Sequence, residues 1–254
     1  MKNNHVLIVI ILLLCVLAGC RTPDSIYYPQ TNSTNGDETA VYSDILTDYR
    51  NLIDFRLSDA FMTDWNNGNI PRFSEQMESA LKDEYCERTT YEMSIGEKWS
   101  NMIVEMTAGI DLPQKSNYGY FLADINEDSF PELFWVRSDQ MLLAIFSVQN
   151  GRPVLLDACW HGYKCVLTDV GMLYTRADGG AGYITFGIRQ LSEEINLLVV
   201  KEFGAEGGNA ETGTLFYEIT ETGKVSINEA RFNQLIQDYP FAMSEFWYSK
   251  IYWL

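Results

Sequence analysis

Positive charge is scarce in this chain. It holds 18 Lys and Arg against 35 Asp and Glu, and its net charge is −17. Nucleic acids and anionic membrane surfaces are bound through basic patches, so this balance argues against nucleic-acid binding and against adsorption to an anionic bilayer. It favours cations as ligands, and it serves plain solubility equally well. Histidine is limited to His5 and His161. No G-x-S-x-G elbow, H-E-x-x-H helix or P-loop occurs, and the glycines of "DGGAGY" run between strand patterns and not into a helix. Five cysteines are too few to build a disulfide scaffold in a chain of 254 residues. The one long apolar run, residues 6–17, is shorter than the ~20 residues a helix needs to cross a bilayer.

What is present begins with that run. The chain opens "MKNNHVLIVIILLLCVLAGC": Lys2, the apolar stretch, then the small residues Ala18 and Gly19 before Cys20. These are the flanks of a secretory signal peptide, which stands outside the fold. An ordinary secretory signal and an uncleaved anchor share these flanks. The ending Leu17-Ala18-Gly19-Cys20 resembles the lipobox of bacterial lipoproteins. That resemblance implies a diacylglyceryl group on the Cys20 thiol and cleavage just before it, with a palmitate-bearing Cys20 as first residue at the extracytoplasmic face of the cell membrane. Two acyl chains give stable anchoring where one is marginal. The expected organisation is a signal peptide at 1–19, lipidated Cys20 with a polar tether to 40, and a single domain over 41–254. The tether is rich in Thr, Asn, Ser and Pro and has no apolar period.

From 41 to about 110 the pattern is helical. Ile45, Leu46, Tyr49, Leu52 and Ile53 share one helix face. A second helix is expected over 73–87, burying Met77, Ala80 and Leu81, after the turn-forming "NNGNIP". Ser94 and Glu97 have capping-box spacing ahead of Ile95, Trp99, Met102, Ile103 and Met106. Between 118 and 222 short aromatic and β-branched runs alternate with Gly, Asn and Asp, and Asn150-Gly151 is a two-residue hairpin signal. A C-terminal helix is expected over 226–239, boxed by Ser226 and Glu229, with Phe232, Leu235, Ile236 and Tyr239 on one face. The aromatic tail "FWYSKIYWL" reads as a strand or turn docked on the core, with a partner-facing patch as the alternative. The expected fold class is α+β: amphipathic N-terminal helices packed on an antiparallel meander sheet, with one C-terminal helix.

The sharpest chemistry lies in "YFLADINEDSFPELFWV". Asp124, Asn126, Asp128, the Phe130 carbonyl and Glu132 fall at positions 1, 3, 5, 7 and 9 of "DINEDSFPE". A curled loop turns alternate positions inward, and calcium takes about 6–8 oxygens of these kinds. Nitrogen and sulfur donors are missing, which disfavours zinc or copper. The spacing resembles the D-x-[D/N]-x-D-G-x-x-[D/E] calcium loops of integrin-type repeats and, more loosely, EF-hands. Ser129 stands where that pattern has Gly, so a positive φ there costs about 1 kcal/mol and predicts weak binding. Trp135 replaces the twelfth-position Glu of an EF-hand, and the flanks read as strands. A solvated Asx-turn between two strands is the alternative reading of the same residues.

Cys159 and Cys165 in "CWHGYKC" flank a turn and are open to three states: free or buried thiols, a disulfide in an exported protein, or zinc binding with His161. Together, the lipobox, tether, helices, "Y-x-x-x-D-I-N-x-D-x-x-P-E-L" and strand-rich half resemble surface lipoproteins of Gram-positive gut bacteria, a group that brings no activity to carry over. The expectation is a non-enzymatic, lipid-anchored surface module with a weak calcium loop and an unspecified protein or glycan partner. A hydrolase using carboxylates in a groove between helices and sheet is the alternative. Incorporation of labelled palmitate into the full chain is expected to be abolished by Cys20→Ala, and undiminished labelling would overturn the lipobox reading.

Overall fold

The helical spacing after residue 40 is realised in α1 (Ser43–Arg56), whose Ile45, Leu46, Tyr49, Leu52 and Ile53 are all buried. A computed structural model describes residues 40–82, 103, 113–158, 163–180, 182–207 and 213–254. A short α2 (Phe61–Asn66) follows, then α3 (Glu75–Lys82), which buries Met77, Ala80 and Leu81 as their spacing requires. Buried Asp48 on α1 ties the two longer helices together. Its Oδ2 accepts from Ser74 N at 3.0 Å and Ser74 Oγ at 2.5 Å, and Ser74 Oγ accepts from Met77 N at 3.2 Å as the cap of α3. The remainder of the expected second helix, and the third helix with Ser94 and Glu97, lie outside the described residues. Ile103 alone of that stretch is described; it is helical and buried.

The strands are β1 (Tyr118–Ala123), β2 (Glu132–Arg137), β3 (Leu142–Gln149), β4 (Arg152–Ala158), β5 (Tyr163–Leu167), β6 (Leu173–Gly180), β7 (Tyr183–Leu191), β8 (Leu197–Glu206), β9 (Leu215–Thr220), β10 (Gly223–Ile227) and β11 (Tyr252–Trp253). The α+β class holds, and every described strand pairing is antiparallel. The strands are more numerous than one sheet holds. The strands form a five-stranded sheet, β11-β1-β2-β3-β4, and a six-stranded sheet, β10-β9-β8-β7-β6-β5. So many twisted strands do not stay in one open sheet; they split into two that bury faces against each other. At the β3–β4 hairpin Asn150 and Gly151 take φ of 53° and 75°, the left-handed pair that a type I′ turn demands.

The first sheet is apolar on both faces. Leu133, Trp135, Phe146 and Leu155 point to the N-terminal helices, where Tyr49 stacks on Trp135 at 4.4 Å between ring centroids. Phe121, Phe134, Val136 and Leu156 point the other way, into a core shared with Phe186 and Phe203 of the second sheet.

That second core is closed by α4 (Glu229–Asp238) and α5 (Glu245–Tyr248). The cap of α4 corrects the expected capping box. Ser226 lies in β10 opposite Tyr217, and Asn228 is the N-cap, its Oδ1 accepting from Arg231 N at 2.8 Å. Pairing with β9 keeps the backbone extended through Ile227, so the helix starts only beyond it. Phe232 and Leu235 are buried as expected, whereas Ile236 and Tyr239 are each 37 % exposed. The aromatic tail docks. Trp247 is fully buried and donates Nε1–H to Thr168 O at 2.8 Å, and β11 pairs with β1. Gly119 permits that pairing, because a Cβ there would stand 2.4 Å from Ile251 Cγ2 and 2.8 Å from Tyr252 O.

Because Trp135 joins the helices to the first sheet, Trp135→Ala is expected to cost about 3–5 kcal/mol in urea denaturation; a loss under ~1 kcal/mol would show that the helical layer does not depend on it.

Candidate metal centre

The loop between β1 and β2 is framed by register. Ala123 pairs with Glu132, so residues 124–131 form the connection, and both flanks are strands. The strand–loop–strand setting agrees with the sequence reading. Inside it the backbone adopts two left-handed residues, Glu127 at φ 62° and Ser129 at φ 72°. Ser129 is the position where calcium loops of this spacing carry Gly, and it takes the positive φ anticipated for it.

The side chains wind the loop around themselves. Asp124 Oδ2 accepts from Ser129 N at 3.0 Å, Asn126 Oδ1 from Asp128 N at 3.3 Å, and Asp128 Oδ1 from Phe130 N at 2.7 Å. Asn126 Nδ2 donates to Asp128 Oδ2 at 3.1 Å. The Asn126–Asp128 N and Asp128–Phe130 N bonds are Asx-turn bonds, each reaching the backbone two residues on; the other two close the loop across its mouth and between side chains. One atom is left over: Asp124 Oδ1 is buried and without a hydrogen-bond partner. A buried carboxyl oxygen with no donor is costly, and an ordered water or a cation would satisfy it. Among the described residues, however, no three His, Cys, Asp or Glu side chains converge closely enough to hold an ion as they stand.

Glu132 explains part of that. It is fully buried, with Oε2 accepting from Ile125 N at 3.0 Å and Oε1 from Ser147 Oγ at 2.9 Å. Burial pushes its carboxyl up to about 8; the amide of Ile125 and the hydroxyl of Ser147 act against this, and Asp128 and Asp124 add to it. Tyr42, from the helical layer, donates its hydroxyl to Pro131 O at 2.9 Å. Burial raises this phenol well above its ordinary value, with the carboxylates of Glu132 and Asp128 contributing. Phe130, whose carbonyl is the fourth expected ligand, has a side chain 57 % exposed.

A further contact was not legible from the sequence. Asn126 Nδ2 also donates to Ser192 O, at 3.2 Å, in the β7–β8 turn of the second sheet. That turn holds Ile195 at φ 63°, unusual for a β-branched residue, and buries its side chain in the core between the sheets. Nothing local links residues 126 and 192; only the packing of the two sheets brings them together.

Of the other expected site residues, Cys165 is a buried free thiol on β5. Cys159, His161 and Cys20 lie outside the described residues. A surface groove of about 370 Å³ between α3 and the β3–β4 hairpin is lined by Glu75, Gln76, Ser79, Gly151, Arg152 and Pro153. Among the described residues its lining holds one carboxylate, Glu75. Comparison with known protein families, with curated proteins and with solved structures finds no match for this chain.

Glu132 ionises near 4.5 in the unfolded chain and near 8 in the fold, so between those values the folded chain keeps a proton that the unfolded chain has released. Its contribution to stability is complete below the lower value and is lost as pH rises through the upper one. In the presence of chelator, Tm is expected to fall by on the order of 10 °C between about pH 5 and about pH 8.5, and Glu132→Gln to remove most of that fall. An equal fall in the variant would assign the pH dependence to other groups.

Proposed function

We propose that the chain is a lipid-anchored, extracytoplasmic surface protein without catalytic activity, whose β1–β2 loop binds calcium weakly and clamps the junction of its two sheets. The observation that carries the calcium reading is the orphaned Asp124 Oδ1 inside a loop whose backbone already takes the positive φ at Ser129. Asp124, Asn126, Asp128 and the Phe130 carbonyl are the residues that would hold the ion, with Glu132 as the acid behind them. Calcium would supply the positive charge that the neighbouring carboxylates of Asp124 and Asp128 lack. Support for the anchor rests on Leu17-Ala18-Gly19-Cys20 and the polar tether after it. No helix among the described residues is long and apolar enough to cross a membrane. The loop's part is structural. It stands at the end of the two-sided first sheet, and through Asn126 it touches the turn of the second. The hydrolase reading draws no support from the groove described above.

Millimolar calcium is expected to raise Tm of the wild type and leave Asp124→Ala/Asp128→Ala unmoved, with half-saturation at ~10⁻⁴–10⁻³ M. A wild type indifferent to calcium but still stable would return the loop to an Asx-turn.

A further inference from the structure

The β7–β8 turn that Asn126 touches leads into the one strand segment that lacks a neighbour on one side among the described residues while both its ends are acidic. β9 pairs with β8 only over residues 202–206, where Glu202 faces Ile219 and Glu206 faces Leu215. Residues 197–199 and 201 pair with β7 alone, and 197–200 run past Thr220, the last residue of β9, by about 13 Å of strand. Continuing the β9 register places the turn at 221–222 beside the overhang, so the gap is a notch with β8 as its wall and that turn as its stop. Leu198, Val199 and Val200 are 53 %, 52 % and 51 % exposed. Three consecutive half-exposed residues mean that both faces and the edge are open.

Other sheet edges carry the devices that prevent strand addition. Arg152 and Pro153 open β4, Lys164 lies in β5, Lys224 in β10, and β11 has two residues. Residues 197–200 carry neither charge nor proline. The one blunting device near it is a bulge at Val200, where a register shift between Ile188 and Arg189 leaves an extra residue opposite β7; it lies next to the turn and leaves 197–199 in regular register. Exposed Glu193 and Glu194 stand at the entry of the overhang and exposed Glu221 at its far end. Lys201, the nearest cation, is committed to Glu218.

We propose that this notch receives an extended segment of a partner protein, apolar at alternate positions and carrying Lys or Arg at its ends, which adds as a short strand to residues 197–199 of β8. The acidic ends select the occupant. A second copy of this chain would bring the same carboxylates, within a net charge of −17, against each other.

The test uses the full chain in detergent and the fluorescein-labelled peptide Lys-Thr-Val-Thr-Val-Thr-Lys, read by fluorescence anisotropy. Binding is expected, weakened by salt, weakened at least about tenfold by Val199→Lys and by Glu193→Lys/Glu194→Lys, and absent for the same peptide N-methylated at alternate amides. Both substitutions fall at exposed positions, and an unchanged thermal melt verifies that each variant folds. Absence of binding would overturn the proposal. So would equal binding by either variant or by the N-methylated peptide. A wild-type dimer in sedimentation that Val199→Lys dissociates would assign the edge to a second copy instead.

Discussion

The rest of the structure depends on β2 being buried on both faces. All six of its residues are buried, and it lies between the N-terminal helices on one side and the second sheet on the other. A strand in that position has no solvent face to carry polar alternation, so "LFWV" is apolar without interruption. Trp135 serves the helical core and Phe134 the core between the sheets, one residue apart, because successive side chains point to opposite faces. Remove either layer and β2 would expose a row of large apolar groups to water.

The same constraint makes the loop chemically unusual. Glu132 is both the last position of the acidic pattern and the first residue of β2, so its carboxyl enters the buried layer with the strand. Ile125 N and Ser147 Oγ satisfy its oxygens, yet burial still holds the acid near its neutral form, with pKa about 8. Asp124 and Asp128 lie closer to solvent and spend most of their oxygens on the loop's own amides. The result is a junction in which Tyr42 from the helices, Glu132 from the first sheet and Ser192 from the second reach one short loop. A change in that loop would reach all three layers.

Local order was legible where it depends on local chemistry. The buried face of α1, the Met77, Ala80 and Leu81 face of α3, the Asn150-Gly151 turn and the positive φ of Ser129 all follow from side-chain period or backbone sterics within a few residues. The start of α4 was misplaced for a reason of longer range. Ser226-x-x-Glu229 has the spacing of a cap, but β9 reaches across to hold Ser226 in a strand, and Asn228 takes over. Ile236 and Tyr239 share the helical period of Phe232 and Leu235 yet stay partly exposed, because period assigns a face and packing decides how wide it is.

By itself, then, the sequence determined the acidic balance, the signal-like N-terminus, the helix-then-strand order and the spacing of oxygen donors in the loop, since each is written in neighbouring residues. Tertiary structure alone decided that the strands divide into two sheets, that β2 has no exposed face, and that Asn126 meets Ser192. It also decided that β8 runs past the end of β9. These depend on contacts between residues far apart in the chain, where burial and pairing are set by what arrives from elsewhere and not by the segment itself.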